Sequence, residues 1–144
     1  MTATSAPARL ALTMGDPAGI GPEIIVRALA DASQVPSSVL VVGDLAVMRR
    51  AVAMLGVRLP VAQLETPDDT APPGAMAVWQ PPGMPGHLIE RAPGQVHADC
   101  GRAAAACIEA AARLAPDGHV SALVTAPIHN ETPPTAGLSY PGHT

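Results

Sequence analysis

Lysine and phenylalanine are absent from these 144 residues, and there is one tryptophan and one tyrosine. All eight basic residues are arginine, set against twelve acidic ones, for a formal net charge of -4. That balance leaves no basic patch for a phosphate backbone, so nucleic acid is not an expected partner. No apolar run approaches the ~18 residues of a membrane span. The start, Met1 to Ser5, lacks the charged and apolar regions of a signal peptide, so the cytoplasm is the expected location. Cysteine is scarce too. Cys100 and Cys107 fall in one expected helix about 10 Å apart along its axis, too far for a disulfide, and read as core thiols. Without aromatic bulk the core must be built from Leu, Val, Ile, Met and Ala, which bury less area per residue, and modest stability follows.

What is present is a globular composition, 48% apolar, long enough for one domain with a true core. The most informative stretch runs from Thr13 to Glu23, T-M-G-D-P-A-G-I-G-P-E. It follows the apolar run Leu10 to Leu12 and precedes a pattern that puts Ile24, Ile25, Ala28 and Leu29 on one helical face. A strand therefore runs through a tight turn into a helix. Gly15, Gly19 and Gly21 free the backbone there, and Pro22 suits the first helical turn. Backbone N–H groups at such a helix start suit an anion, and Asp16 has the chemistry to orient a hydroxyl or a cation. The bland reading stands beside it: good capping, with Glu23 complementing the helix dipole. The spacing is neither the dinucleotide fingerprint nor the phosphate loop, which requires a lysine.

Val39 to Val42 reads as a second parallel strand covered on both faces. Asp44 should cap a helix from about Leu45 to Leu55, with Val47, Met48, Ala51, Val52 and Leu55 inward and Gly56 as the stop. Arg49 and Arg50 then point to solvent, as solubilising charges rather than as a phosphate clamp. Residues 60–97 change character. Eight of the 17 prolines lie between Pro60 and Pro93, which predicts an irregular excursion with at most an edge strand or hairpin at Ala75 to Trp79. His87 and His97 lack partners at ligand spacing and read as surface histidines. A long helix is expected from about Asp99 to Leu114, with Glu109 and Arg113 as an i,i+4 pair. Asp117-Gly118 then turns the chain into a third buried strand, Val120 to Thr125. Alternating strands and helices imply an α/β fold, a mostly parallel sheet with helices on both faces.

The tail, T-A-P-I-H-N-E-T-P-P-T-A-G-L-S-Y-P-G-H-T, lies beyond the carboxyl end of that last strand, where open α/β sheets place their ligands. His129, Glu131 and His143 offer metal-ligand chemistry, but the Pro-Pro loop between the two histidines gives them no defined geometry. Asn130-Glu131-Thr132 fits a glycosylation acceptor only in a secreted chain.

Three stretches together carry a resemblance: G-D-P-A-G-I-G-P-E in the first turn, Gly101-Arg102-Ala103-Ala104 with Ile108-Glu109 in the long helix, and Val124 to Ile128 with Ala136-Gly137 and Tyr140 to Thr144 in the tail. The chain resembles the 4-hydroxythreonine-4-phosphate dehydrogenase family of pyridoxal phosphate (vitamin B6) biosynthesis. The resemblance implies an isocitrate/isopropylmalate-dehydrogenase-like fold, incomplete here, with residues 1–144 as the N-terminal portion of a two-domain oxidoreductase. It implies NAD or NADP, a divalent metal (zinc, magnesium or cobalt) with ligands beyond residue 144, a small phosphorylated substrate and a homodimer. His143 and Thr144 become substrate contacts; no catalytic residue, cofactor contact or metal ligand is assigned within the chain. The family's reaction would be oxidation of the secondary alcohol of 4-phosphooxy-L-threonine, followed by loss of carbon dioxide. Two departures bear on substrate: the usual Asn-Lys pair is His129-Asn130, and Pro133-Pro134 replace residues that would continue a helix. Relatives acting on aromatic dihydrodiols or other phosphorylated hydroxy acids are the alternative, as is a non-catalytic truncated product. Residues 1–144 alone are not expected to turn over.

Overall fold

The structure is a computed structural model that describes residues 9–31, 38–90 and 97–126. Among them, five strands form one sheet in the order β3-β4-β2-β1-β5, and every pairing is parallel. The strands are β1 (Leu10–Thr13), β2 (Val39–Val42), β3 (Val61–Leu64), β4 (Met76–Trp79) and β5 (Ala122–Thr125). The helices are α1 (Gly21–Asp31), α2 (Leu45–Leu55) and α3 (Ala98–Leu114), with a single 3₁₀ turn at Leu88–Glu90.

Successive residues of a strand point to opposite faces, yet Leu40, Val41 and Val42 of β2 are all fully buried. The sheet is therefore covered on both sides. Right-handed crossovers put α1, between β1 and β2, and α2, between β2 and β3, on one face, where they pack together. The return from β4 to β5 runs the opposite way along the sheet and puts α3 on the other face, against β1, β2 and β5. The core is aliphatic and sulfur-rich, with Met14, Met48, Met76, Val26, Val78, Leu88, Cys100 and Cys107 nearly inaccessible.

Local chemistry sets the element ends. Asp44 caps α2, its Oδ2 accepting from Val47 N at 2.9 Å, and Gly56 ends the helix in the left-handed region at φ 65°. In α1 the inward stripe is Pro22, Ile25, Val26 and Leu29. Ile24 and Ala28 are exposed, one position off the expected face, because the close approach of Gly21 to β1 fixes the helix's rotation.

Two expectations for the sheet are corrected. The described residues between 60 and 97 hold two parallel strands, and β4 is interior, between β3 and β2. The prolines bracket these strands without interrupting them: Pro60 ends just before β3, its carbonyl accepting from Met76 N at 2.8 Å, and Pro81-Pro82 follow β4. The last strand is not buried. Among the described residues β5 pairs only with β1, and Leu123 and Val124 are 36% and 48% exposed.

Candidate functional site

Main-chain bonds that continue past the strands hold four carboxyl ends level. Met14 N donates to Val42 O, Gly43 N to Trp79 O and Ala126 N to Thr13 O, each at 3.1 Å. Open parallel sheets take their ligands just outside this edge.

At the end of β1 the glycine-rich turn is built as tightly as its sequence implies. Gly15 has φ 74°. The Asp16 carboxylate is buried, and its Oδ1 accepts from Ala18 N at 2.9 Å while its carbonyl accepts from Gly19 N at the same distance. Asp16 thus folds the turn. A Cβ on Gly21 would sit 2.2 Å from Met14 O, so the helix start touches the strand end backbone to backbone. Met14 itself is buried, and its sulfur accepts from Asp44 N at 3.2 Å, which joins this turn to the next one. The space between the turn and α2, beside Pro17, Pro22 and Arg50, is only about 10 Å³, at most one water. Thr13 Oγ1 is buried without a hydrogen-bond partner among the described residues.

The larger opening lies outside the carboxyl ends of β2 and β4. The chain leaves β2 into α2, and the chain that leaves β4 packs Leu88–Glu90 against α2, so the opening lies between α2 and the loop that follows β4. The resulting cavity, about 680 Å³, is lined by Asp44, Arg49, Gln63, Gln80, Met84 and His87 among others. Gln80 Oε1 accepts from Leu45 N at 2.9 Å and closes the crevice floor. Arg50 is not solvated as expected. Its guanidinium donates to Ile89 O at 2.8 Å and to Pro17 O at 3.1 Å, clipping the 3₁₀ turn and the glycine-rich turn to α2.

His87 is on the surface, at φ 60°, with Nδ1 3.7 Å from Glu90 Oε2. His97, expected on the surface, is half-buried at the start of α3, with Nε2 buried and unpaired among the described residues. Cys100 and Cys107 are buried and are not joined in a disulfide. Burial, with the Asp44 charge as a lesser cause, pushes the Cys107 thiol up to about 12, and its Sγ rests 3.8 Å from Met84 Sδ. It is a core thiol without nucleophilic character at neutral pH. His119, not singled out by the sequence, contacts Asp68 through Nδ1. His129, Asn130, Glu131, His143 and Thr144 lie outside the described residues. Among the described residues no three His, Cys, Asp or Glu side chains gather to hold a metal ion.

The family model for the pyridoxal phosphate biosynthetic protein PdxA matches residues 35–144. The chain belongs to this family. Over 139 residues it is 41% identical to a D-threonate 4-phosphate dehydrogenase of Pectobacterium atrosepticum, covering 94% of this chain and 41% of that protein. It is 40% identical over 136 residues to a 4-hydroxythreonine-4-phosphate dehydrogenase of Beijerinckia indica, covering 94% of this chain and 39% of the relative. Among solved structures, the 4-hydroxythreonine-4-phosphate dehydrogenase of Klebsiella pneumoniae superposes with a TM-score of 0.84 at 37% identity, over 94% of this chain and 42% of that one. A terephthalate 1,2-cis-dihydrodiol dehydrogenase of Burkholderia xenovorans gives 0.69 at 30% identity, over 94% and 38%. The chain spans about two-fifths of the length of the relatives it matches. For this PdxA-family chain, sequence reasoning found the turn at β1 but missed the crevice. The available signal was Gln80 and a Pro-Gly loop placed directly after an apolar run.

Proposed function

We propose that this chain forms the N-terminal portion of an NAD(P)-dependent dehydrogenase that oxidises and decarboxylates 4-phosphooxy-L-threonine in pyridoxal phosphate biosynthesis. The observation that carries the reading is identity of about two-fifths across 94% of the chain with relatives named as dehydrogenases of four-carbon, 4-phosphorylated acids. Bound NAD or NADP supplies the two-electron acceptor for the hydride released as the secondary alcohol becomes a ketone. The described residues contribute the rigid carboxyl edge: Asp16 and Gly21 fix the turn after β1, and Asp44 and Gln80 fix the neighbouring loop. His143 and Thr144, in the tail that follows β5, are assigned to substrate contact by their place in Tyr140 to Thr144. Among the described residues no three His, Cys, Asp or Glu side chains gather around a place for the divalent metal that the reading includes. A homodimer working in the cytoplasm completes it.

Relatives named for D-threonate 4-phosphate match as well as those named for 4-hydroxythreonine 4-phosphate, so the alternative substrate is another phosphorylated hydroxy acid of the same length. The aromatic dihydrodiol reading is weaker, since that neighbour superposes less well. The test is a nicotinamide absorbance assay of the complete protein with each of the three substrate classes and added divalent metal. Turnover of 4-phosphooxy-L-threonine in preference to the others is the expected result. Turnover of D-threonate 4-phosphate alone would move the protein out of vitamin B6 synthesis, and no turnover of any would sink the reading. In the same assay His143→Ala should lower kcat/KM while leaving Tm nearly unchanged, since a loop histidine at a pocket carries little packing. An unfolded variant would mark His143 as structural.

A further inference from the structure

We propose that Met84 is an oxidant-sensing side chain: a hydroperoxide converts its thioether to the sulfoxide, and the change releases the loop after β4 from α3. Of the six methionines, Met14, Met48 and Met76 are fully buried, and Met54 and Met84 are the two that solvent reaches among the described residues. Met54 is 55% exposed on α2, so an added oxygen there stays in water. Met84 differs. It is half-buried, it lines the opening outside β2 and β4, and its Sδ rests 3.8 Å from Cys107 Sγ in the core. One side chain thus meets both the oxidant and the core.

The step is a two-electron oxygen transfer. A lone pair on Met84 Sδ attacks the terminal oxygen of the hydroperoxide, the S–O bond forms as the O–O bond breaks, and the departing oxygen leaves with the peroxide's proton as water or an alcohol. Sulfur is oxidised and the peroxide is reduced. A thioether needs no deprotonation for this, whereas Cys107, buried and kept as the thiol up to about pH 12, offers no thiolate and is passed over. The consequence lies in their contact. In the reduced chain the Cys107 S–H donates to Met84 Sδ, a soft and weakly polar pairing. A sulfoxide carries a strong S–O dipole, and a weak S–H donor does not offset the cost of taking that dipole out of water. The oxidised side chain therefore turns out into the opening. Two other bonds tether the same loop, Gln80 Oε1 accepting from Leu45 N and Arg50 donating to Ile89 O, and both lead to α2. Of the three ties, Met84 to Cys107 is the one to α3, so its loss uncovers the Cys107 thiol.

This device does not rest on the proposed dehydrogenase reading, because it is read by modification rather than turnover. The experiment exposes the full chain to graded hydrogen peroxide at pH 7, quenches with free methionine, labels accessible thiols with a maleimide and maps both changes by peptide mass spectrometry. Met54 and Met84 should each gain one oxygen, the three buried methionines none, and Cys107 should be labelled in proportion to Met84 oxidation. Tm should fall by about 4 °C alongside. Methionine sulfoxide reductase should restore both the burial of Cys107 and Tm. Met84→Leu, close to Met in volume, should keep Cys107 closed through the same exposure, and Met54→Leu should respond as the parent does. Labelling of Cys107 that persists in peroxide-treated Met84→Leu, a closed Cys107 beside an oxidised Met84, or Met84 left reduced where Met54 is converted would each overturn the proposal.

Discussion

Asp44 touches more of the molecule than its single cap implies. Its main-chain N–H reaches the Met14 sulfur, its carboxylate holds Val47 N, and its charge helps raise the Cys107 thiol across the sheet. Asp44→Ala should therefore cost about 1 kcal/mol through the lost cap, read by chemical denaturation, whereas Asp44→Asn keeps the cap and should cost far less. Cys107 makes a separate prediction. Its folded value, about 12, lies above its ordinary value of 9.0, so the folded state keeps the proton that the unfolded chain releases. The stabilisation is complete below pH ~9 and is lost as the pH rises through ~12. Stability should fall across that window, and less steeply in Cys107→Ala. A thiol reagent at pH 8 should leave native Cys107 untouched and modify it only after unfolding.

At the scale of elements, the junction of β1 with α1 is the least forgiving point. Gly21→Ala drives a methyl into Met14 O and should cost about 3 kcal/mol. Gly43→Ala meets the Met14 side chain at 2.9 Å, which can move in part, and should cost less. Equal costs for the two, measured by denaturation, would show that the strand end yields. These junctions were also where the sequence could be read. Asp44, Gly56, Pro22 and the Asp117-Gly118 turn are local signals with local causes, so α2, α3 and the first two strands fell where expected. Proline density misled because it was averaged over a stretch in which the prolines stand outside the strands. The Arg50 clip was illegible for a different reason: its partners are carbonyls of Ile89 and Pro17, and a carbonyl leaves no mark in the residue alphabet. The resemblance in the tail pointed to His143 and Thr144, while the opening outside β2 and β4 depends on how α2 and the loop after β4 pack together, which no local pattern encodes.

Across the described residues, the sheet presents β5 as an edge with Leu123 and Val124 exposed, and Ile20 and Ile24 add a second apolar pair at the amino end of α1. Unpaired strand edges with apolar side chains recruit further strands. The isolated 144-residue chain should accordingly associate, and Val124→Lys should lower its light scattering. A monodisperse wild-type chain with a sharp thermal transition would count against this. The scarcity of aromatic residues has a different outcome. Trp79 is the one tryptophan, and it ends β4 half-buried, its carbonyl bonded to Gly43 and Gln80 next along the chain at the crevice floor. Its fluorescence is thus undiluted by any other indole, and a shift in its emission maximum would report on changes at the end of β4, one residue from the opening that Gln80 lines.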